Sequence, residues 1–413
     1  MERVAEGNAL VNQQYPQPNL TFIQLCFRLL SFVTVVAYCS YAYLYFFNVG
    51  ATSVKPLHWY FFTIGLAVVI VAMRPGLSRM PRGIAIWTWC FVCYSILTFM
   101  YSSQSGDAKQ YLFHNVQAAL LLVSFLIVFQ YAEVRTVRLA LLVVALIAVP
   151  VNIIDFYSPT WSEVPGRASG LYVNPNTSGK ALLFIMVATI PLVPSRFRVL
   201  YCLFMGIGML VTLSRSAWLL WAVAVTLLAG YGYIVFKRKG VGMLAVGAAG
   251  GVIVYGLLTG GFLEVVSDSG FAGYLNSQAM ARLAGGDEPG GEDSSLVGRM
   301  GVAEKSFEVF QNHPWFGAGL GYTKEWEYIE PHNMYLMMAA EGGVVGVSLF
   351  IALLVILWRE TDSIGRILVV LFAMRSLFSH NMLEQPIMLI FIALVALSYP
   401  DTRGGWSKAP EHR

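Results

Sequence analysis

The sequence predicts an all-α, polytopic membrane protein with about twelve spanning helices, and three observations lead there. Hydrophobic residues fill 57% of the 413 positions and charged residues only 12%, against about 45–50% and about 25% in soluble domains. Apolar runs near or above the ~18 residues that mark a bilayer span recur along the chain. The strict alternation of a membrane β-barrel is absent, and a helix satisfies its own backbone groups in lipid. These observations exclude a soluble enzyme. A net charge of +4, from 27 Lys and Arg against 23 Asp and Glu, is too small to imply a nucleic-acid partner.

Residues 1–20 are polar and rich in Pro, Asn and Gln, so no cleavable signal peptide is expected and the first span acts as an uncleaved anchor. Spans are expected over Leu25–Asn48, Leu57–Met73, Gly83–Tyr101, Tyr111–Tyr131, Thr136–Ile154, Thr177–Val193, Phe197–Leu213, Ala217–Phe236 and Val241–Thr259. Three more follow over Met334–Trp358, Ser363–Phe378 and Met382–Tyr399. Cations set the orientation. Arg74, Arg79, Arg82, Arg135, Arg138, Arg196, Arg198, Lys237, Arg238, Lys239, Arg359 and Arg366 fall on one side, with Arg403, Lys408 and Arg413 of the tail. The opposite short loops keep only Lys55, Lys109, Arg167 and Arg215. The layout expected is nine spans through residue 259, a long outer loop over 260–333, three spans over 334–400 and a cytoplasmic tail over 401–413, with both termini in the cytoplasm.

Cys26, Cys39, Cys90, Cys93 and Cys202 all sit in apolar runs. They read as small buried or lipid-facing side chains, and the Cys90-x-x-Cys93 spacing has no partner pair that would make a metal site. The long outer loop carries eleven acidic residues against Arg282, Arg299, Lys305 and Lys324. Two short helices are expected there, roughly Gly270–Leu283 and Ser295–Phe310, separated by the linker GGDEPGGED. In the second, Leu296, Met300, Ala303, Phe307 and Phe310 recur at helical spacing, a face to set against the membrane or over a cavity.

The outer face is nearly emptied of positive charge, so the cations kept there need a reason. Arg167 lies in the loop GRASGLYVNPNTSGK, Arg215 in the turn TLSRSAW, and Arg299 opens the second loop helix; Lys180 and Arg375 lie near or inside helix ends. An arginine at mid-membrane costs about 2.5–3.5 kcal/mol on insertion scales, and such residues usually mark a function. Several convergent guanidinium groups suit an anion, above all phosphate, whose oxygens they bind bidentately. Asn176 reads as an N-cap, with the free N–H groups of its helix start favouring the same anion. Two His-Asn pairs, His332-Asn333 and His380-Asn381, fall at outer span ends. A histidine there is a candidate general base near neutral pH. His58, His114, His313 and His412 read as structural or solvated. No Walker loop, H-E-x-x-H, EF-hand or D-x-D pattern occurs, so neither a cofactor nor a metal is expected.

Arg167–Gly170, Asn174-Pro175-Asn176, Leu213-Ser214-Arg215, Gly298-Arg299, His313-Pro314, Gly317-x-Gly319 and His332-Asn333-x-Tyr335-Leu336, in this order around one long loop, resemble the O-antigen ligase family of the O-antigen ligase and polymerase superfamily. Arg215-x3-Leu219 fits the family's R-x3-L, and His332-Asn333-x9-Gly343-x-x-Gly346 its H-N-x9-G-x-x-G. The second His-Asn pair fails that pattern, with Phe391 in the glycine place. The resemblance implies a GT-C-like glycosyltransferase of the bacterial inner membrane. It would move O-antigen polysaccharide from undecaprenyl diphosphate to lipid A-core on the periplasmic side, in lipopolysaccharide biosynthesis, without metal or nucleotide and with inversion. It implies catalytic roles for His332, Arg215 and Arg299, and donor binding or orientation by Arg167, Asn176, Lys180 and Asn333. An O-antigen polymerase or a protein O-oligosaccharyltransferase has the same chemistry with another acceptor, and a secondary transporter of an anionic or lipid-linked substrate is the alternative from a different class.

Overall fold

The computed structural model describes residues 22–73, 80–164, 166–235, 296–326 and 330–398. Among them every regular element is helical. Helices α1 (Phe22–Cys39) and α2 (Ala42–Asn48) share the first expected span, which breaks where Tyr41 adopts a left-handed φ of 60°. Helices α3 (Pro56–Met73), α4 (Arg82–Met100), α5 (Gly106–Ala132) and α6 (Val134–Tyr157) follow the next four expected spans closely. After a loop come α7 (Pro175–Thr189), α8 (Arg198–Leu210) and α9 (Arg215–Gly230). The later part holds α10 (Leu296–Asn312), α11 (Tyr322–Glu325), α12 (Met334–Arg359), α13 (Ser363–Arg375) and α14 (Pro386–Leu397). The expected ninth span, the first loop helix, the N-terminal 21 residues and the tail from 399 lie outside the described residues.

Six of these helices, α1, α3, α4, α5, α6 and α12, are long and apolar enough to cross a bilayer. Their outward faces carry Leu29, Leu97 and Leu146, each more than half exposed, as lipid contact demands. The protein is a multi-pass helical membrane protein. Five further expected spans are shorter helices of 12–16 residues. At ~1.5 Å per residue they reach only about 18–24 Å of a ~30 Å hydrocarbon core. Local chemistry ends them: α7 stops at Thr189 and tightens into a 3-10 turn over Ile190–Leu192, because Pro191 has no N–H to give.

Two of the short helices, α7 and α14, are interior, whereas α8 exposes Leu200, Leu203 and Ile207. Every residue of α7 from Ser178 to Thr189 is buried, with α6, α8, α9, α13 and α14 around it, and α14 is buried from Pro386 through Ala396. An apolar run with no polar face is what a helix surrounded by protein requires.

Expected as one continuous span, α12 is interrupted at Gly343, with φ 59° and ψ −153°. The loop after α10 enters the gap. Ala318 N donates to Ala340 O at 2.8 Å and Gly319 N to Glu341 O at 3.1 Å; Val344 N and Val345 N donate to Pro314 O and Trp315 O at 2.8 and 3.2 Å. Gly317 and Gly343 make this possible. Both have positive φ, and a Cβ on either would fall 2.2 Å from Glu341 C or 2.5 Å from Trp315 C. The two glycine motifs therefore mark opposite sides of one contact. Glu341 beside it accepts from the backbone N and hydroxyl of Thr323 at 3.2 and 2.6 Å.

Helix α10 starts near its expected place and packs on α12, but through Val302, Ser306 and Val309. Phe307 of the expected apolar face is 53% exposed, turned away from α12 as a membrane-facing side chain would be.

Candidate functional site

Buried Asp155, at the end of α6, shapes the loop that presents Arg167. Its Oδ1 accepts from the backbone N of Thr160 and Trp161 at 3.0 and 2.9 Å. Its Oδ2 accepts from Ser169 and Gly170 at 2.8 and 3.0 Å. The loop so held turns Arg167 inward, where it is only 4% exposed. Its Nε donates to Thr212 O at 2.9 Å and its Nη2 to Asn176 Oδ1 at 3.0 Å.

The cap of α7 is Asn174, whose side chain accepts from Asn176 N at 2.9 Å, and not Asn176 as expected. Pro175 is the reason. Its fixed φ and missing N–H suit the first helical position, so the cap is the residue before it. Asn176, released from capping, accepts through Oδ1 from both Arg167 and the Ser214 hydroxyl, the latter at 3.1 Å. Its side chain thus ties the start of α7 to the start of α9. Val173 and Leu213, with φ of 64° and 49°, immediately precede Asn174 and Ser214. Left-handed backbone of this kind in non-glycine residues costs about 1–3 kcal/mol and clusters at functional sites.

Arg215 is the first residue of α9 and is exposed. Ser216 beside it accepts from Arg375 Nη1. Arg375, at the end of α13 and 3% exposed, also reaches Asn176 O at 3.5 Å, and its Nε has no hydrogen-bond partner among the described residues. Lys180, one turn further along α7 and buried, donates to Asn381 Oδ1 at 3.4 Å. It lies within electrostatic reach of Arg375 and Glu384. Arg299 sits in the first turn of α10, with its side chain outside the description. Of the expected cations, then, Arg167, Arg215 and Lys180 share one end of the bundle, joined by Arg375.

The other half of the site is built on α12. Asn333 caps it, accepting from Tyr335 N and Leu336 N at 2.9 and 3.2 Å, so it fixes the backbone on which His332 stands exposed. The His332 ring lies 5.6 Å from that of His380, bringing together the two His-Asn pairs, one of which fails the family pattern. His380 Nε2 pairs with Glu330 Oε2 at 2.7 Å, and Lys324 Nζ lies 3.5 Å from Glu330 Oε1. The end of α13 links the halves. Ser376 O accepts from Met334 N at 2.8 Å, next to Arg375, and Tyr335 Oη donates to Ala373 O at 3.0 Å. Sequence reasoning flagged His380 but missed Ser216, Glu330 and the joining role of Arg375, because the contacts that bring them in, Arg375 with Ser216 and His380 with Glu330, join residues far apart in the chain.

Burial pushes the Glu330 carboxyl up, but the His380 hydrogen bond and charge, with Lys324, outweigh it and hold the group below the ordinary carboxylate range. A depressed carboxylate stabilises the fold above its unfolded pKa and loses that contribution as pH falls through the folded value. Glu330→Gln is therefore expected to lower the thermal unfolding midpoint at neutral pH. The gap from the parent protein closes as pH drops below the ordinary carboxylate range. An unchanged gap at acid pH would contradict this reading.

Two helix starts present N–H groups and positive dipole ends, with Arg167, Arg215, Lys180 and Arg375 around them. Anion binding is what such an arrangement does. Among the described residues no group of three or more His, Cys, Asp or Glu is arranged to hold a metal ion.

Residues 200–351 match the family model described as O-antigen ligase. The match takes in Arg215, Arg299, His332, Asn333 and both glycine motifs, and it bears out the resemblance carried by those residues. Arg167, Asn176, Lys180, Arg375 and His380 lie outside it. The similarity supports a glycosyl-transferring membrane enzyme of the O-antigen ligase and polymerase superfamily. No curated protein matches the chain.

Proposed function

We propose that the protein is an O-antigen ligase of the bacterial inner membrane, GT-C-like and with about twelve spans, both termini in the cytoplasm and its site facing the periplasm. It transfers O-antigen polysaccharide from undecaprenyl diphosphate to lipid A-core. The observation that carries this reading is the Arg167–Asn176–Ser214 and Arg375–Ser216 cluster, which surrounds exposed Arg215 and is tied through the end of α13 to His332.

Arg215, with Arg299, grips the diphosphate. Arg167 and Arg375 face inward, so they hold the starts of α7 and α9 and add positive field, with Lys180 behind them. An acceptor hydroxyl oxygen attacks the anomeric carbon as the bond from that carbon to the diphosphate oxygen breaks. The proton passes to His332, and the charge leaving with the diphosphate meets guanidinium groups already in place. A single displacement inverts the anomeric centre. Glu330, paired to His380, holds that ring in place beside His332. The energy resides in the sugar–diphosphate bond, so no nucleotide is required.

Arg215→Lys keeps the charge but loses the planar fork. It is expected to lower kcat/KM by about tenfold or more, equivalent to one charge-assisted hydrogen bond. Full activity in this variant would remove Arg215 from the grip. The reaction itself is tested by mixing purified protein with undecaprenyl-diphosphate glycan and either lipid A-core or a second donor chain. Glycan on lipid A-core supports the ligase; chain extension alone identifies a polymerase, and no transfer to either acceptor refutes both.

A further inference from the structure

Beside the cation cluster lies a cavity of about 440 Å³, within the ~300–1,000 Å³ of small-molecule pockets. We propose that this cavity is a subsite for one uncharged sugar residue of the glycan partners, a reading that rests on the transfer reaction proposed above. Its lining contains four tyrosines, five side-chain amides and the carboxylates Glu163 and Glu384, and neither Lys nor Arg. That composition selects a ligand class. With no Lys or Arg in the lining, nothing there grips a diphosphate or a phosphorylated sugar, and the exposed Glu163 carboxylate repels one. Amides and carboxylates facing an apolar acyl chain would lose their water without gaining partners. A neutral pyranose satisfies both sets, its hydroxyls pairing with amide and carboxylate groups and its C–H faces lying on tyrosine rings.

Two further observations show that the cavity is built. Gln385 lines the cavity, and its Oε1, sealed from the open space, has no hydrogen-bond partner among the described residues; a turn of the amide presents it to a sugar hydroxyl. Tyr41 and Val173, with left-handed φ of 60° and 64°, both line it, and backbone strain of this kind persists where surrounding structure and function demand it.

Position connects the cavity to the chemistry. Asn174, the cap of α7, and Asn381, the partner of Lys180, stand on its wall. A sugar held there lies next to the cations, whether it is the donor residue carried on the diphosphate or the sugar of the acceptor. His114, read from sequence as merely structural or solvated, is also part of the wall.

The test is saturation-transfer NMR on the purified protein with free glucose, galactose, N-acetylglucosamine and rhamnose, which needs no turnover. At least one sugar is expected to receive saturation. The signal should fall about tenfold, the equivalent of one hydrogen bond, in Gln385→Leu and in Gln117→Trp, which fills the cavity. Thermal unfolding checks that each variant is folded, and the two variants alter separate segments of the wall, α5 and the start of α14. No transfer to any sugar, or undiminished transfer in both folded variants, overturns the proposal. Sugar binding that survives in a protein inactive in transfer would instead refute the reaction and leave the subsite standing. In active protein, a raised KM for undecaprenyl-diphosphate glycan assigns the sugar to the donor and a raised KM for lipid A-core to the acceptor. Both KM values unchanged in both variants would overturn a subsite used in transfer.

Discussion

Replacing His332 with alanine is expected to lower kcat for glycan transfer by about 10²–10⁴-fold, the usual contribution of a positioned general base, with donor binding nearly unchanged. The separation follows from the architecture. Arg167, Arg215, Lys180 and Arg375 are grouped around the starts of α7 and α9, whereas His332 stands exposed at the start of α12. Its backbone place is fixed by the Asn333 cap and by the Met334 hydrogen bond to Ser376 O, so losing the imidazole leaves that frame intact. Single-turnover rates with undecaprenyl-diphosphate glycan and lipid A-core, beside equilibrium binding of the donor, measure the two effects separately. A large loss of donor affinity in this variant, with kcat kept, would place His332 in binding and not in proton transfer.

The second large effect is structural. Gly317→Val is expected to destabilise the protein by more than about 4 kcal/mol, in the range reserved for a named structural lesion. A Cβ at Gly317 would stand 2.2 Å from a backbone carbon of Glu341, and backbone has little room to yield. The left-handed φ of 70° adds strain of about 1–3 kcal/mol for a β-branched residue. Relief by withdrawal would forfeit the hydrogen bonds that the inserted loop exchanges with α12. Gly301→Ala is the control: a Cβ there meets nothing within 4 Å, and alanine favours a helix by up to about 1 kcal/mol over glycine. Thermal unfolding in detergent should show a large drop for the first and none for the second. Equal midpoints would mean that the loop is not held as described.

Hydropathy made the membrane architecture legible, because long apolar runs such as Val134–Tyr157 leave one solution in lipid. It did not distinguish a helix facing lipid from one enclosed by protein. Thr177–Val193 and Met382–Tyr399 read as ordinary spans, yet their helices are short and buried on every side. The cap of α7 was legible in principle, since Pro175 points to Asn174. Arg167, Asn176 and Arg215 were visible as polar residues where few were expected. By contrast, the Arg375–Ser216 contact joins residues 159 positions apart, and nothing local in either stretch announces the other. The interruption of α12 was half visible. Gly343 and Gly346 stood out in an apolar run, but the loop that fills the gap became apparent only once Gly317 lay against Glu341.

Arg375 and Ser376 are consecutive, with Cα atoms ~3.8 Å apart across one trans peptide, and they anchor opposite ends of the proposed reaction path. The span between the anion grip and the imidazole is therefore gauged at this point by a covalent link, whereas most distances in a helical bundle are set by side-chain packing. A thicker or thinner bilayer that tilts α13 carries both anchors along together. Turnover in vesicles of graded acyl-chain length should accordingly change less than the tilt of the surrounding helices.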